Sequence, residues 1–256
     1  MSRYITCQHE QGTDGWRADR LGLVTGSVVS AVFATVKSGE AAGRANLRMD
    51  LLLERITGKS TPGFAGNADM AWGTEQEPFA RMAYEKAKGL DVSESGFLYL
   101  PTIKAGCSLD GQVMDGQRRG ILEIKCPKSA THYKYLLSGK APTEYLPQIT
   151  HNLWITGDAF TDFMSFDPRM PVELQQFHIR IERDEAAIQA HAAGVMQFLM
   201  ELDADEKKMR ALIAERQAEL ATETETEIAY PLTPKENHEI IRIIPHWPRH
   251  RGPLFK

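Results

Sequence analysis

Residues 107–126 read CSLDGQVMDGQRRGILEIKC, a stretch that carries two carboxylates and a lysine, Asp110, Glu123 and Lys125. In GILEIKC the apolar Leu122, Ile124 and Cys126 alternate with Glu123 and Lys125, the period of a strand whose two faces differ. Glu123 and Lys125 therefore share a face. Asp115-Gly116 marks a turn, so the stretch predicts a hairpin. A four-residue loop over 115–118 sets Asp110 opposite Glu123 and Ser108 opposite Lys125. A two-residue Asp115-Gly116 turn instead pairs Asp110 with Ile121 and leaves Glu123 diagonal. Directly opposed partners have Cβ atoms roughly 5 Å apart. Two carboxylates that close repel unless one is protonated or a cation lies between them. Hard divalent ions such as Mg²⁺ take carboxylate oxygens and keep several waters. A lysine beside such an ion orients or deprotonates a water, or stabilises charge on a phosphate. The pattern fits a Mg²⁺ site with an attendant ammonium; taken alone, it also fits a solvated hairpin face.

The chain has 256 residues, enough for one or two domains with a buried core. Its 42% hydrophobic and 25% charged residues are those of a globular protein. No run approaches the ~18 apolar residues of a membrane span, and MSRYITCQHEQG at the N-terminus lacks the apolar core of a signal peptide. Cys7, Cys107 and Cys126 form no CxxC pair, which argues against a disulfide framework or structural zinc and for a reducing cytoplasm. A formal charge of −4 excludes a protein that coats nucleic acid by general basicity. It leaves room for a locally basic groove around an acidic centre.

Leu47, Leu51, Leu52 and Ile56 recur at helical spacing over 44–60, and Gly58 ends that helix. Residues 60–67 are a loop by composition. A second helix is expected over 74–89, with Thr74 as N-cap and Gly89 just past its end. Three strand-like runs follow, GFLYLP, KAGCSLDGQVM and GILEIKC. SATHYKYLLSGK and TEYLPQITHNLWITG are helical, AFTDFMSFD and ELQQFHIRIERD are strands, and a long helix runs from about 184 to about 219. The expectation is an α/β fold in which a mixed central sheet is flanked by helices. Residues 1–219 form a single domain, and 220–256 a loosely held or partner-contacting tail.

Six blocks occur in order: RADRLGLVTGS, AWGTEQEPFA, CSLDG, LEIKCP, YLPQITHNLWITG and FDPRM. Together they resemble the phage lambda exonuclease family, the alkaline exonuclease and viral recombinase group of the PD-(D/E)xK nuclease superfamily. The resemblance covers about residues 14–211. It implies a restriction-endonuclease-like core and Mg²⁺-dependent, processive 5′→3′ degradation of one strand of linear double-stranded DNA to mononucleotides. The 3′ single strand left behind would serve recombination by strand annealing. Two Mg²⁺ ions, with Mn²⁺ able to substitute, a homotrimeric ring, a single-strand annealing protein as partner and a cytoplasmic setting in a bacterial or phage-infected cell are implied as well. A restriction-like endonuclease on the same core and a non-catalytic DNA-end-binding module are the alternatives.

Carried over by position, Asp110, Glu123 and the Ile124 carbonyl resemble the central metal ligands, and Lys125 the catalytic lysine. Glu77 matches an upstream acid that reaches the second ion; Thr74-x-x-Glu77 is also a capping box, in which Glu77 serves the helix end. Gln148 matches a glutamine near the metal-bound water. Glu144, Gln148 and His151 share one helical face, opposite Leu146, Ile149 and Leu153, and His151 alone is not expected to be a ligand. Arg20, Ser27 and Ser108 match positions that hold a terminal 5′-phosphate, for which an arginine fork and two hydroxyls are well suited. Ser27 as a helix N-cap and Arg20 as a surface charge are the plainer alternatives. Arg44, Arg48 and Arg55 share a helix face that could line a DNA track, and Met70 matches an apolar wedge between strand ends. Leu109 stands where the superfamily has proline.

Overall fold

The structure, a computed structural model, describes residues 3–60 and 68–229, with side chains as far as Thr222. Two compact units divide the chain, Met1–Lys207 and Lys208–Lys256. In chain order the first holds β1 (Ile5–Thr6), α1 (Asp14–Asp19), β2 (Val24–Thr25), α2 (Val29–Val32), α3 (Ala42–Thr57) and α4 (Ala68–Lys88). There follow β3 (Val92–Ser93), β4 (Leu98–Leu100), β5 (Ala105–Cys107), β6 (Gly111–Asp115) and β7 (Arg118–Lys125). Then come α5 (Ser129–Ser138), α6 (Leu146–Thr156), β8 (Phe160–Phe166), β9 (Gln176–Glu182) and the long α7 (Glu185–Ala229). In the second unit the described residues are helical to Ala229, so the expected tail begins as helix. Residues 230–256 of that expectation lie outside the described residues, as does nearly all of the 60–67 loop.

The mixed α/β expectation holds, but with two sheets in place of one. One has the order β1-β4-β5-β2 and the other β3-β6-β7-β8-β9. Parallel pairs β2–β5 and β7–β8 sit among antiparallel neighbours. The run expected as one strand, KAGCSLDGQVM, divides between the sheets: β5 belongs to the first, β6 to the second, and Ser108–Leu109–Asp110 links them. A chain that changes sheet must leave its ladder, and these three residues do so.

The second sheet supplies the core. β8 is buried along its whole length, as befits a strand with covered faces. Val113, Leu122, Ile124, Phe160, Met164 and Phe166 pack with Ala80 and Tyr84 of α4. Burying each large side chain there stabilises the fold by roughly 1.5–3 kcal/mol. α3 ends as its sequence predicts, with Gly58 in the left-handed region, and α6 ends in the same way at Gly157. α4 differs. It begins at Ala68, so Thr74 lies inside it and donates its hydroxyl to the Met70 carbonyl at 3.1 Å. The capping box is therefore excluded: apolar Met70 and Trp72 extend the helix beyond the residue that looked like its cap. No described helix is long and apolar enough to cross a membrane.

Asp162 on β8, 3% exposed, is one of the charges buried with this sheet. Arg180 grips it with a two-pronged hydrogen bond, 2.7 Å on each oxygen, and Tyr84 donates its hydroxyl at 2.6 Å. Burial alone would raise the carboxyl, but these donors outweigh it and hold Asp162 below its usual range. The stability this contributes is present at neutral pH and is lost on acidification. Asp162→Ala leaves Arg180 without that partner and is expected to cost about 3 kcal/mol, read from the midpoint of urea unfolding. An unchanged midpoint would show that the pair contributes nothing.

Candidate active site

Gly111 faces Leu122, and Asp115 faces Arg118 across Gly116 and Gln117. That is the register of the four-residue loop, and it carries Asp110 to the level of Glu123. Asp110 Oδ2 accepts the Ile124 backbone N–H at 2.7 Å, which ties the link between the sheets to the end of β7. Leu109, the residue in the superfamily's proline position, is buried and anchors that link.

Glu123 is fully buried. Oε1 accepts from the Lys125 ammonium and from Gln148 Nε2 at 2.6 Å, and Oε2 accepts from Asn152 Nδ2 at 3.2 Å. Burial raises its pKa and Lys125 opposes that, while Asp110 and Glu77 add repulsion; the carboxyl stands at about 7. Burial would lower the Lys125 ammonium, but Glu123 and Asp110 outweigh it and keep it charged. Its Nζ lies 5.1 Å from the centroid of the Tyr145 ring. Glu77, in mid-α4, pairs with Arg81 at 2.9 Å. Burial and then the Asp110 charge raise its carboxyl, so the helix brings it within electrostatic reach of the other two acids.

A second constellation adjoins the first through Ser108. Trp16 Nε1 donates to the Ser108 hydroxyl at 2.9 Å, and the Arg20 guanidinium lies 4.0 Å over the Trp16 ring. Arg20 Nη2 donates to Ser27 at 3.0 Å and to Thr25 at 3.4 Å. Ser27 does not cap a helix, since α2 starts after Val28, which makes no side-chain cap bond. Burial lowers the Arg20 guanidinium to about 10 against the opposing charge of Glu54, with which it forms no hydrogen bond among the described residues. A half-buried cation whose direct contacts are hydroxyls and an aromatic face, with the Glu54 charge acting only from a greater distance, is suited to an anion.

The YqaJ-like viral recombinase domain model matches residues 15–159, more than half of the chain. The chain belongs to the YqaJ-like viral recombinase family. It is 40% identical to the alkaline exonuclease LHK-Exo from Laribacter hongkongensis, with a TM-score of 0.71 over 79% of this chain and 99% of that one. A second structure, LHK-Exo in complex with dAMP, matches at 39% identity and a TM-score of 0.72, with the same coverage. A phage-related exonuclease from Haemophilus somnus 129PT shares the fold, with 14% identity and a TM-score of 0.51 over 72% of this chain and 96% of that one. Among proteins with curated descriptions, none matches this sequence. The core is thus of the restriction-endonuclease-like kind, the resemblance to the lambda exonuclease family stands, and family membership implies a nuclease.

Against this family background several expected roles change. His151 is not on a polar face: it is fully buried, with ring nitrogens 3.1 Å from the Gly106 carbonyl and from His191. Burial and His191 hold its pKa down at about 3. Glu144 precedes α6 and accepts from the Tyr135 hydroxyl at 2.9 Å. α6 is buried on nearly every side from Ile149 to Thr156, so polar and apolar faces do not separate. Arg44, Arg48 and Arg55 do not form an open DNA track. They pair with Glu40 and with Glu201, Asp205, Asp203 and Glu206 of α7. Met70 stands in the first turn of α4, 43% exposed. Trp16, Thr25, Tyr145 and Asn152 were missed in the sequence reading. Only Asn152 left a signal, four positions after Gln148 and so on the same side of the helix.

No three of Asp, Glu, His and Cys among the described residues form a ready metal cage. The acids that act on one another there, Asp110, Glu123 and Glu77, offer hard carboxylate oxygens. They fit Mg²⁺. Burial lifts Glu123 and Glu77 and the repulsion among the acids adds to it; that repulsion is the part a cation would relieve. Because Glu123 is raised from 4.5 to about 7, the folded state retains a proton between those values that the unfolded state gives up. Stability therefore falls as pH rises through that window, and the full cost stands above it. Asp110→Asn keeps an acceptor for Ile124 and removes one charge. Without divalent ions at pH 8, it is expected to melt ~2–4 °C higher, about 1 kcal/mol. Mg²⁺ should raise the melting temperature of the unaltered protein and barely move the variant. A lower melting point for the ion-free variant would refute the repulsion account.

Proposed function

We propose that the protein is a Mg²⁺-dependent exonuclease that degrades one strand of linear double-stranded DNA processively, 5′→3′, to mononucleotides. The carrying observation is the junction at Ser108–Asp110, where an arginine cradle with no direct carboxylate contact meets the acid centre two residues away. An end-directed enzyme needs that pair of sites: one grips the terminal phosphate, and the other cuts at the next. The LHK-Exo complex with dAMP, a mononucleotide, supports this reading. Family membership supports the 3′ single-stranded product, its use by an annealing protein, and a homotrimeric ring.

Asp110, Glu123 and the Ile124 carbonyl would hold one Mg²⁺ and Glu77 would help with a second; bound there, the ions supply Lewis acidity. Arg20, Ser27 and Ser108 hold the 5′-phosphate by charge-assisted hydrogen bonds. Lys125, kept as an ammonium by its two carboxylate neighbours, orients a water and offsets charge on the phosphate under attack. Gln148 keeps the Glu123 carboxylate in place. Water adds to phosphorus, the bond to the 3′-oxygen breaks, and that oxygen leaves with a proton as the nucleotide's 3′-hydroxyl. Met70, exposed at the start of α4, serves as the apolar wedge.

The deciding experiment is digestion of linear duplex DNA, 5′-phosphorylated or 5′-hydroxyl, with and without Mg²⁺. Closed circular plasmid is the control. The expected result is Mg²⁺-dependent release of mononucleotides from the phosphorylated linear duplex and none from the circle; cutting of the circle would make the protein an endonuclease. Lys125→Ala should abolish cleavage, by roughly a thousandfold or more, while duplex binding is retained. Near-normal digestion by that variant would remove Lys125 from the mechanism. Arg20→Ala should erase the preference for 5′-phosphorylated ends, a loss of ~10–100-fold in kcat/KM for a charged hydrogen-bonding group. A preserved preference would assign the phosphate to another pocket.

A further inference from the structure

The two oxygens of Glu123 have different partners. Oε1 meets Lys125 and Gln148, whereas the hydrogen bond on Oε2 comes from Asn152. Asn152 is 1% exposed. Its own Oδ1 is buried and has no hydrogen-bond partner. That oxygen faces Gly26, where a Cβ would lie 2.5 Å from it. Gly26 does not have the left-handed backbone that favours glycine, so it is there for space. On either side of it stand Thr25 and Ser27, the two hydroxyls beside the Arg20 guanidinium.

A buried acceptor with no partner is costly, and a sequence retains one where the rest of the group does something that a smaller residue cannot. The amide has a single acceptable orientation. Turned over, Oδ1 would oppose a carboxylate oxygen, and Nδ2 would point at a glycine with nothing to receive it.

We infer that Asn152 is a positioning residue that joins the phosphate cradle to the acid centre. Its Nδ2 fixes the carboxylate of Glu123, and its Oδ1 packs against Gly26 to set where Thr25 and Ser27 stand relative to that carboxylate. This inference rests on the nuclease reading for its meaning, but the contact it names is independent of activity. Gln148 and Asn152, one turn apart on α6, thus act together: one braces each oxygen of the same acid.

The test is a double-mutant cycle in the full chain with Asn152→Ala, Gly26→Ala and the two combined, alongside the near-isosteric Asn152→Asp. Three quantities are read: kcat and KM on a 5′-phosphorylated linear duplex with Mg²⁺, the Kd for the same duplex in EDTA, and the melting temperature in EDTA. Asn152→Ala should lower kcat ~10–100-fold, the usual cost of losing a group that orients a ligand, with Kd changed less than about threefold. Asn152→Asp, which keeps the shape but loses the donor, should lower kcat at least as far. Gly26→Ala should weaken binding of the phosphorylated duplex and lower the melting temperature through the clash. Adding Asn152→Ala to it should restore both while kcat stays low, the non-additivity expected of residues in contact. Near-normal kcat in Asn152→Ala and Asn152→Asp, or additive effects on Kd and melting temperature, would overturn the inference. Should the unaltered protein fail to digest DNA, the nuclease reading falls, and the EDTA cycle still decides whether Asn152 and Gly26 are coupled.

Discussion

A carboxylate taken out of water must be partnered or give up its charge, and Glu123 is the point at which this chain meets that constraint. It does both in part. Lys125, Gln148 and Asn152 surround it with donors, yet burial, joined by the charges of two further acids, raises its pKa to about 7. Lys125 comes from the same strand two residues on, Gln148 and Asn152 from α6, and Asp110 from the link between the sheets. Strands β6 and β7, helices α4 and α6 and the change of sheet at 108–110 are thus all held to one geometry. A fold that sought stability alone would place an apolar side chain at 123. Under the proposed function the acids remain because a divalent cation would relieve their mutual repulsion.

Much of this was legible in the hairpin. Period-two alternation fixes which face Glu123 and Lys125 share, and a loop at a glycine limits the register to two choices. The structure selects the one that brings Asp110 level with Glu123. What the alternation could not give was the break between β5 and β6. Ser108, Leu109 and Asp110 continue a plausible strand pattern, and only the pairing of each half with a different sheet reveals the link.

The helices misled where local pattern and tertiary context disagree. Thr74-x-x-Glu77 has the form of a helix start, but a threonine inside a helix bonds the carbonyl four residues back equally well, and Thr74 does. On α6, Glu144, Gln148 and His151 look like a wet face because sequence periodicity assumes that one side of a helix meets water. With sheets and helices against nearly every side, His151 instead became a core residue paired with His191, and Asn152 a brace for Glu123. The partner of His151 is forty positions away. Spacing within one helix carries no information at that distance.

The arginines show how charge pairing separates scaffold from site. Arg44, Arg48 and Arg55 have the helical spacing of a basic stripe, and each lies against carboxylates of α7, so α3 and α7 are clasped through their charges. An arginine so neutralised offers little to a phosphate, because a DNA backbone would have to displace a carboxylate already in place. Arg20 is the opposite case. It is half-buried, yet its direct contacts are hydroxyls and the Trp16 ring. Desolvation with no carboxylate in direct contact is an unfavourable state for a guanidinium, and in the proposed function the terminal phosphate of a DNA strand would reverse it. The same reasoning accounts for Trp16. Its ring covers the cation with a face that cannot neutralise it, and its N–H holds Ser108, so the pocket is shaped while its charge stays available.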